Sequence, residues 1–320
     1  MDILCVAPSE DILGETPLWC ELTQCLLWID VDRATLHRAH LASGRRDTFR
    51  FDARFLGGLA LQRDPGCVVL ALETALHSFD LGSGRLTLVA EVEPATLDTR
   101  LNDGRCDANG RLWIGTMDNG LAAPTGSFYR VGADGTVTRQ FGDVIVSNTV
   151  ALSPDQRTLY FSDTRRYLTW AFDLDPEDGT LSNRRIFVDH RERRERPDGA
   201  CVDSEGALWV AMFGGSRVDR YTAEGRCERS VVLPVTNPTC VCLGGPGYRT
   251  LFVTTARKFL SAETLAREPL AGSVLAVQVD VPGLPERRFG PAGSSGDPTS
   301  GWLRIVSGGR RVWRYATDCN

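Results

Sequence analysis

No run of about 18 consecutive apolar residues occurs in this 320-residue chain, so no membrane-spanning helix is predicted. Its first residues, Met1-Asp2-Ile3-Leu4, lack the basic stretch and longer apolar stretch of a secretory leader. A soluble, cytoplasmic protein without a membrane partner is the expectation. Basic charge is not in excess: 36 Lys and Arg face 41 Asp and Glu, a formal net charge of −5. The corresponding pI of about 5.5 argues against nucleic acid as the main partner. Histidine is scarce. His37, His40, His77 and His190 show no metal-ligand spacing, and His37 and His77 read as strand residues. No Cys-x-x-Cys pair exists either, since Cys240-Val241-Cys242 has a single intervening residue. The ten cysteines read as small, mostly buried hydrophobes of a reducing compartment rather than as disulfides.

What is present is a repeat. Short apolar strands recur at Leu27-Trp28-Ile29, Val69-Leu70-Ala71, Leu112-Trp113-Ile114, Leu159-Tyr160-Phe161, Leu208-Trp209-Val210 and Leu251-Phe252-Val253. Successive copies are 42, 43, 47, 49 and 43 residues apart. Each is followed by a second run, such as Leu36-His37-Arg38, Phe128-Tyr129-Arg130-Val131 or Trp170-Ala171-Phe172-Asp173. Several short strands repeating every 40–50 residues are the pattern of propeller blades. The fold class is all-β, a six-bladed β-propeller. The repeat makes residues 1–289 one propeller domain, with Ile3 to Ala7 expected to pair with the last blade and close the ring. Asp107, Asp155 and Asp203 precede three of the strands at similar distance and read as turn formers. Composition changes after about Gly290, so residues 290–320 read as an atypical C-terminal tail, flexible over 290–301.

The unusual polar residues share one place in the repeat. Glu15, Arg100 with Asn102, Asn148 and Asp198 stand 10–12 residues before the apolar strands of blades one, three, four and five. In blades two and six the matching places hold Gly57-Gly58 and Cys240. In a propeller that place is the entry to the innermost strand, at one end of the central channel, so these side chains converge. Two carboxylates and amide oxygens meeting in a closed pocket repel or stay unsatisfied unless a cation joins them. Oxygen donors without Cys or His favour a hard divalent ion such as Ca²⁺, Mg²⁺ or Mn²⁺.

These residues lie in segments that resemble the family of gluconolactonases, regucalcin (senescence marker protein) and luciferin-regenerating enzymes. The segments are Leu13-Gly14-Glu15-Thr16-Pro17-Leu18-Trp19, Arg100-Leu101-Asn102-Asp103-Gly104-Arg105 with Gly115-Thr116-Met117, Ser147-Asn148, and Pro197-Asp198-Gly199. The ordered set is most similar to bacterial sugar-acid lactonases. The resemblance implies one divalent metal ion (Ca²⁺, Mg²⁺, Mn²⁺, Fe²⁺ or Zn²⁺) held by Glu15, Asn148 and Asp198, and substrate oxygens bound by Arg100 and Asn102. Asp103 is a further candidate for reading sugar hydroxyls. Asp118, just after Gly-Thr-Met, is the nearest counterpart of an acidic residue that some members place against substrate. The chain departs from the family where Asn148 is followed by Thr149 rather than glycine.

The implied activity is metal-dependent hydrolysis of a small-molecule aldonolactone. Asp198 would be the catalytic general base and Arg100 the planar donor to substrate oxygen. Two alternatives stand beside it: a non-catalytic calcium- or partner-binding propeller, and an esterase for a non-sugar ester. A monomer or weak dimer is expected. The run Arg191-Glu192-Arg193-Arg194-Glu195-Arg196 reads as a solvated loop, or more sharply as a rim that attracts an anionic lactone.

Overall fold

Six four-stranded antiparallel sheets and a separate two-stranded one make up the described part of a computed structural model, which covers residues 2–94, 98–291, 302–307 and 310–315. The sheets follow chain order as blades. Blade 1 is Gly14–Cys20, Cys25–Asp30, Thr35–His40 and Arg45–Arg50, and blade 2 is Leu56–Leu61, Cys67–Leu72, Ala75–Asp80 and Leu86–Glu91. Blade 3 is Thr99–Cys106, Leu112–Asp118, Gly126–Val131 and Val137–Val144. Blade 4 is Ser147–Leu152, Thr158–Asp163, Leu168–Leu174 and Leu181–Asp189. Blade 5 is Arg196–Val202, Leu208–Phe213, Arg217–Tyr221 and Cys227–Val232. Blade 6 takes Pro238–Gly244, Thr250–Thr255 and Val274–Gln278, and the N-terminal strand Ile3–Ala7 completes it as the outermost strand. Ile3 pairs with Val277 and Cys5 with Leu275, so the start of the chain closes the ring as expected.

The apolar repeat is the second strand of every blade, and it is buried because it is covered on both faces by neighbouring blades. Trp28, Trp113 and Trp209 are fully buried, and removing any one side chain would cost about 3–5 kcal/mol. Each buried indole N–H needs an acceptor. Trp28 donates to Asp11 at 2.9 Å, Trp113 to Asp107 at 2.9 Å and Trp209 to Asp203 at 2.8 Å. The two turn aspartates therefore do two things. Asp107 Oδ1 accepts from the backbone of Asn109 and Arg111, and Asp203 Oδ1 from that of Glu205 and Ala207, which forms the turn. Their Oδ2 atoms tie the turn to the core. Asp155 does only the first, accepting from Ser153 and the Arg157 amide.

One irregularity recurs and positions everything that follows. In all six blades the innermost strand loses register with the second strand at the same place: between Glu15 and Leu18, Leu56 and Gly58, Leu101 and Gly104, Asn148 and Ala151, Pro197 and Ala200, and Pro238 and Cys240. Bulges of this kind bend a strand and re-aim its side chains. Thr16 and Thr149, each next to a candidate ligand, sit at φ 46° and 57°, the left-handed backbone such a bulge uses. In blade 2 the bulge holds Gly57, where a Cβ would lie 1.8 Å from the Leu101 carbonyl oxygen. Blade 3 thus approaches blade 2 backbone to backbone, and blade 2 contributes no polar side chain there.

The far end of the channel is closed by residues 281–290, which cross between blades. Ser204 N–H donates to the Pro282 carbonyl, Gly283 N–H to the Tyr248 carbonyl and Phe289 N–H to the Leu61 carbonyl. Glu286 pairs with Arg105 of blade 3 at 2.7 Å, and Arg288 pairs with Glu21 of blade 1 at 3.0 Å. The expected flexible stretch 290–301 lies almost wholly outside the described residues. Among the described residues Trp302–Ser307 and Arg310–Tyr315 pair with each other and with no propeller strand. None of the nine described cysteines is paired; Cys5 and Cys227 are exposed, whereas six others are buried. No helix among the described residues is long and apolar enough to cross a membrane.

Candidate active site

At the entry end of the inner strands lies a cavity of about 330 Å³. Glu15 from blade 1, Arg100 and Asn102 from blade 3, Asn148 from blade 4 and Asp198 from blade 5 all line it, as the repeat position requires. The bulges put these side chains on the channel side of strands whose other residues pack into the blades.

Hydrogen bonds fix most of the floor. Arg100 Nη1 donates to Asn102 Oδ1 at 2.6 Å and to the Leu101 carbonyl at 3.1 Å, while its guanidinium lies over the Phe55 ring at 5.4 Å. Asn102 Nδ2 donates to the Ser147 carbonyl at 2.7 Å and to Asn148 Oδ1 at 2.9 Å. Asn148 Nδ2 donates to Thr164 Oγ1 at 2.8 Å, and that hydroxyl donates to the Pro197 carbonyl at 2.6 Å. Thr149 Oγ1 donates to the Asp198 carbonyl at 2.6 Å. A continuous chain of contacts thus runs from Arg100 across blades 3 and 4 to the backbone of Asp198.

The two carboxylates stand outside this chain. Glu15 accepts a single hydrogen bond, from the Thr16 amide at 3.1 Å, and the Asp198 carboxylate accepts none from any described residue. Both feel burial and each other. Burial, reinforced by Asp103, pushes Glu15 up to about 8. Burial together with the charges of Glu15 and Asp103 raises Asp198 well above the usual carboxylate range. Burial lowers Arg100 to about 10 against the pull of Asp32, Glu15 and Asp198. Among the described residues no group of three or more His, Cys, Asp or Glu side chains forms a metal centre. The set at hand is two under-satisfied carboxylates and one amide oxygen with a lone pair to spare, and these hard oxygen donors suit a divalent cation.

Two expected substrate contacts are not brought to the cavity. Asp103 accepts from the Val150 amide at 2.7 Å, and burial, against the charge of Arg105, raises it to about 6. The Asp118 carboxylate accepts from the amides of Ala122 and Ala123, both at 2.8 Å, and these bonds hold it below the usual carboxylate range. Both bonds fall on Oδ2, so the carboxylate is turned toward its own loop. Neither residue lines the cavity.

Other residues do, without having been singled out in the sequence: Thr164, Arg165, Phe213, Lys258 and Phe259. Of the charged run, Arg191 to Arg194 are exposed, and Arg196 alone reaches the cavity. Two further aspartates set the geometry from behind. Asp30 accepts from the amides of Ile12 and Leu13, two residues before Glu15 at the nearer. Asp163 accepts from the amides of Ile145 and Val146, two before Asn148. Both close the second strand of their blade, and that shared place was the signal available in the sequence.

The chain matches the model of the SMP-30/Gluconolactonase/LRE-like region over residues 13–257. It belongs to this family. L-arabinolactonase from Azospirillum brasilense is 38% identical over 89% of this chain and 94% of its own. 6-Deoxy-6-sulfogluconolactonase from Pseudomonas putida is 37% identical over 89% of this chain and 97% of its own. Among solved structures, a calcium-binding protein, regucalcin, from Agrobacterium tumefaciens superposes with a TM-score of 0.85 at 31% identity, covering 89% of this chain and 96% of that one. All five converging residues fall inside the matched segment.

Proposed function

We propose that the protein hydrolyses the cyclic ester of a sugar acid, a pentono- or hexonolactone, with a divalent cation held by Glu15, Asn148 and Asp198. The observation that carries this is the convergence of two under-satisfied carboxylates, an amide oxygen and a buried guanidinium in one cavity. Relatives named as sugar lactonases support the substrate class.

A cation bound there would polarise an ester carbonyl and acidify a water molecule. Asp198, whose carboxylate accepts no hydrogen bond from the described residues, takes the proton of the attacking water as its oxygen bonds to the acyl carbon. The ring C–O bond then breaks, and the proton passes from Asp198 to the departing oxygen. A hydroxy acid results, ionised at neutral pH. Arg100 holds a substrate oxygen with the guanidinium donors that Asn102 and Leu101 leave free; lysine could not present that planar pair. Asn102 has both amide hydrogens engaged, so it meets substrate as an acceptor and otherwise orients Arg100 and Asn148.

The test is proton release from a panel of aldonolactones by metal-stripped protein, then after adding Ca²⁺, Mg²⁺, Mn²⁺, Fe²⁺ or Zn²⁺ singly. Turnover restored by metal and ranked by sugar supports the reading. Tight binding of one metal with no turnover of any lactone supports instead a calcium-binding propeller, the alternative favoured by the regucalcin match.

A further inference from the structure

The mouth of the cavity differs in character from its floor. Arg165, Arg196, Lys258, Phe213, Phe259 and Leu121 surround it. The two phenyl rings meet edge to face at 6.4 Å, and Phe259 is 68% exposed. Arg196 lies over the Phe213 ring at 5.0 Å and Lys258 Nζ over Phe259 at 5.5 Å. An acidic protein has thus collected three cations at one opening.

Their partners decide what that opening is for. Lys258, the one lysine in the chain, is bridged to Asp32 at 2.8 Å and is neutralised there. Arg165 and Arg196 form no ion pair with any described residue. Arg165 spends its Nε on the Leu121 carbonyl at 2.8 Å and leaves both Nη groups without a partner among the described residues. The Arg196 guanidinium makes no hydrogen bond among them and stacks on Phe213. Some of their sequence neighbours are engaged. Arg166 pairs with Asp143 at 2.9 Å, Arg191 with Asp189, and Arg194 rests against the Tyr167 hydroxyl. Exposed arginines elsewhere, Arg157 and Arg193 among them, also lack an ion-pair partner among the described residues; what sets Arg165 and Arg196 apart is that both face the cavity.

We propose that the cavity takes lactones carrying a second, anionic group remote from the ester, and that Arg165 and Arg196 recognise it. The inference rests on the lactonase reading and extends it from ester to substrate class. A neutral sugar ring offers these guanidinium groups hydroxyl oxygens but no counter-charge. A phosphate, sulfonate or carboxylate offers oxygens spaced for bidentate donation, which is the geometry guanidinium matches best. Stacking on Phe213 pre-orients Arg196, so less side-chain entropy is lost when the anion arrives. The attraction acts at a solvent-exposed mouth and is therefore screened by salt.

The test compares glucono-1,5-lactone with 6-phosphoglucono-1,5-lactone and glucaro-1,4-lactone on the metal-loaded protein, at about 0.02 and about 0.3 M salt. Expected is a kcat/KM at least about tenfold higher for one of the anionic lactones, shrinking at high salt. The better of the two identifies phosphate or carboxylate as the preferred anion. Arg165→Gln should remove most of that preference, read as the ratio of kcat/KM for the anionic over the neutral lactone. Arg196→Lys should keep only part of it, since charge survives but the stacked fork does not. Equal kcat/KM for neutral and anionic lactones, or a preference untouched by Arg165→Gln, overturns the proposal. If no lactone is hydrolysed, the lactonase reading fails, and calorimetry of gluconate against 6-phosphogluconate still judges the rim. Tighter, Arg165-dependent binding of the phosphorylated acid supports it, and equal binding overturns it.

Discussion

Asn102 Nδ2 donates to Asn148 Oδ1 at 2.9 Å, joining two blades across 46 residues of sequence. The bond, with that from Asn148 Nδ2 to Thr164, fixes which way the Asn148 amide faces, and in the proposed site its oxygen rather than its nitrogen would meet the cation. Asn102→Ala should therefore weaken divalent-metal affinity by about tenfold, as loss of an orienting partner does, besides raising KM. Isothermal titration of the metal measures the first effect separately from the second.

The Asn148-Thr149 departure has a physical resolution. Thr149 takes the left-handed backbone at φ 57° that glycine would adopt freely, and its hydroxyl compensates by donating to the Asp198 carbonyl at 2.6 Å. Thr149→Val keeps the strain and strands that carbonyl, for an expected loss of about 2 kcal/mol. Thr149→Gly loses the bond but relieves the strain and should lie within about 1 kcal/mol of wild type. Urea unfolding of both variants tests the order, which a purely steric role for Thr149 would not produce.

How much of this was readable beforehand follows from the period. Six evenly spaced apolar strands specify six blades, and equal repeat positions specify which polar side chains share the channel mouth; Glu15, Arg100, Asn102, Asn148 and Asp198 were all legible that way. Asp103 and Asp118 were not, because sequence proximity to the site does not say which way a carboxylate turns, and each has nearer amides to satisfy. The mouth was not legible either. Arg165, Phe213 and Phe259 stand in loops or at strand ends whose length varies between blades, so no register predicts them. The strap over residues 281–290 escaped the reading because its anchors are scattered contacts to five different blades rather than a repeat.

The strap makes its own prediction. Glu286 meets Arg105 at 2.7 Å in the small cavity at the far end of the channel, where Arg105 also donates to the Ala200 carbonyl. Glu286→Ala leaves a buried guanidinium without its paired carboxylate and should cost about 3 kcal/mol. Replacing both with Arg105→Met and Glu286→Leu should recover most of that loss. Metal affinity should stay near wild type in Glu286→Ala, since the ion pair lies at the opposite end of the inner strands.

His190 gives the protein a pH dependence outside the site. Burial lowers its pKa below the ordinary 6.5, against the opposing charges of Glu195, Asp219 and Asp189. Its Nε2 is 3.2 Å from Thr169 Oγ1, its Nδ1 3.8 Å from Glu195, and its ring meets Tyr221 edge-on. A folded-state pKa below the unfolded value means the unfolded chain binds the proton first as pH falls. Stability from neutral His190 is thus complete above about 6.5 and is lost as pH drops through the lower folded value. The Tm of wild type should fall more steeply than that of His190→Gln below about 6.5, and parallel curves would contradict this assignment.

The central claim is that one cation held by Glu15, Asn148 and Asp198 makes the cavity a lactonase. The most direct measurement is the initial rate of L-arabino-1,4-lactone opening against metal concentration, beside the metal Kd from calorimetry, for wild type and Glu15→Gln. The account predicts no turnover without metal, half-maximal rate at the Kd, and both values shifted together by the substitution. Full turnover in metal-stripped protein, or a rate that Glu15→Gln leaves unchanged while metal binding weakens, would contradict it.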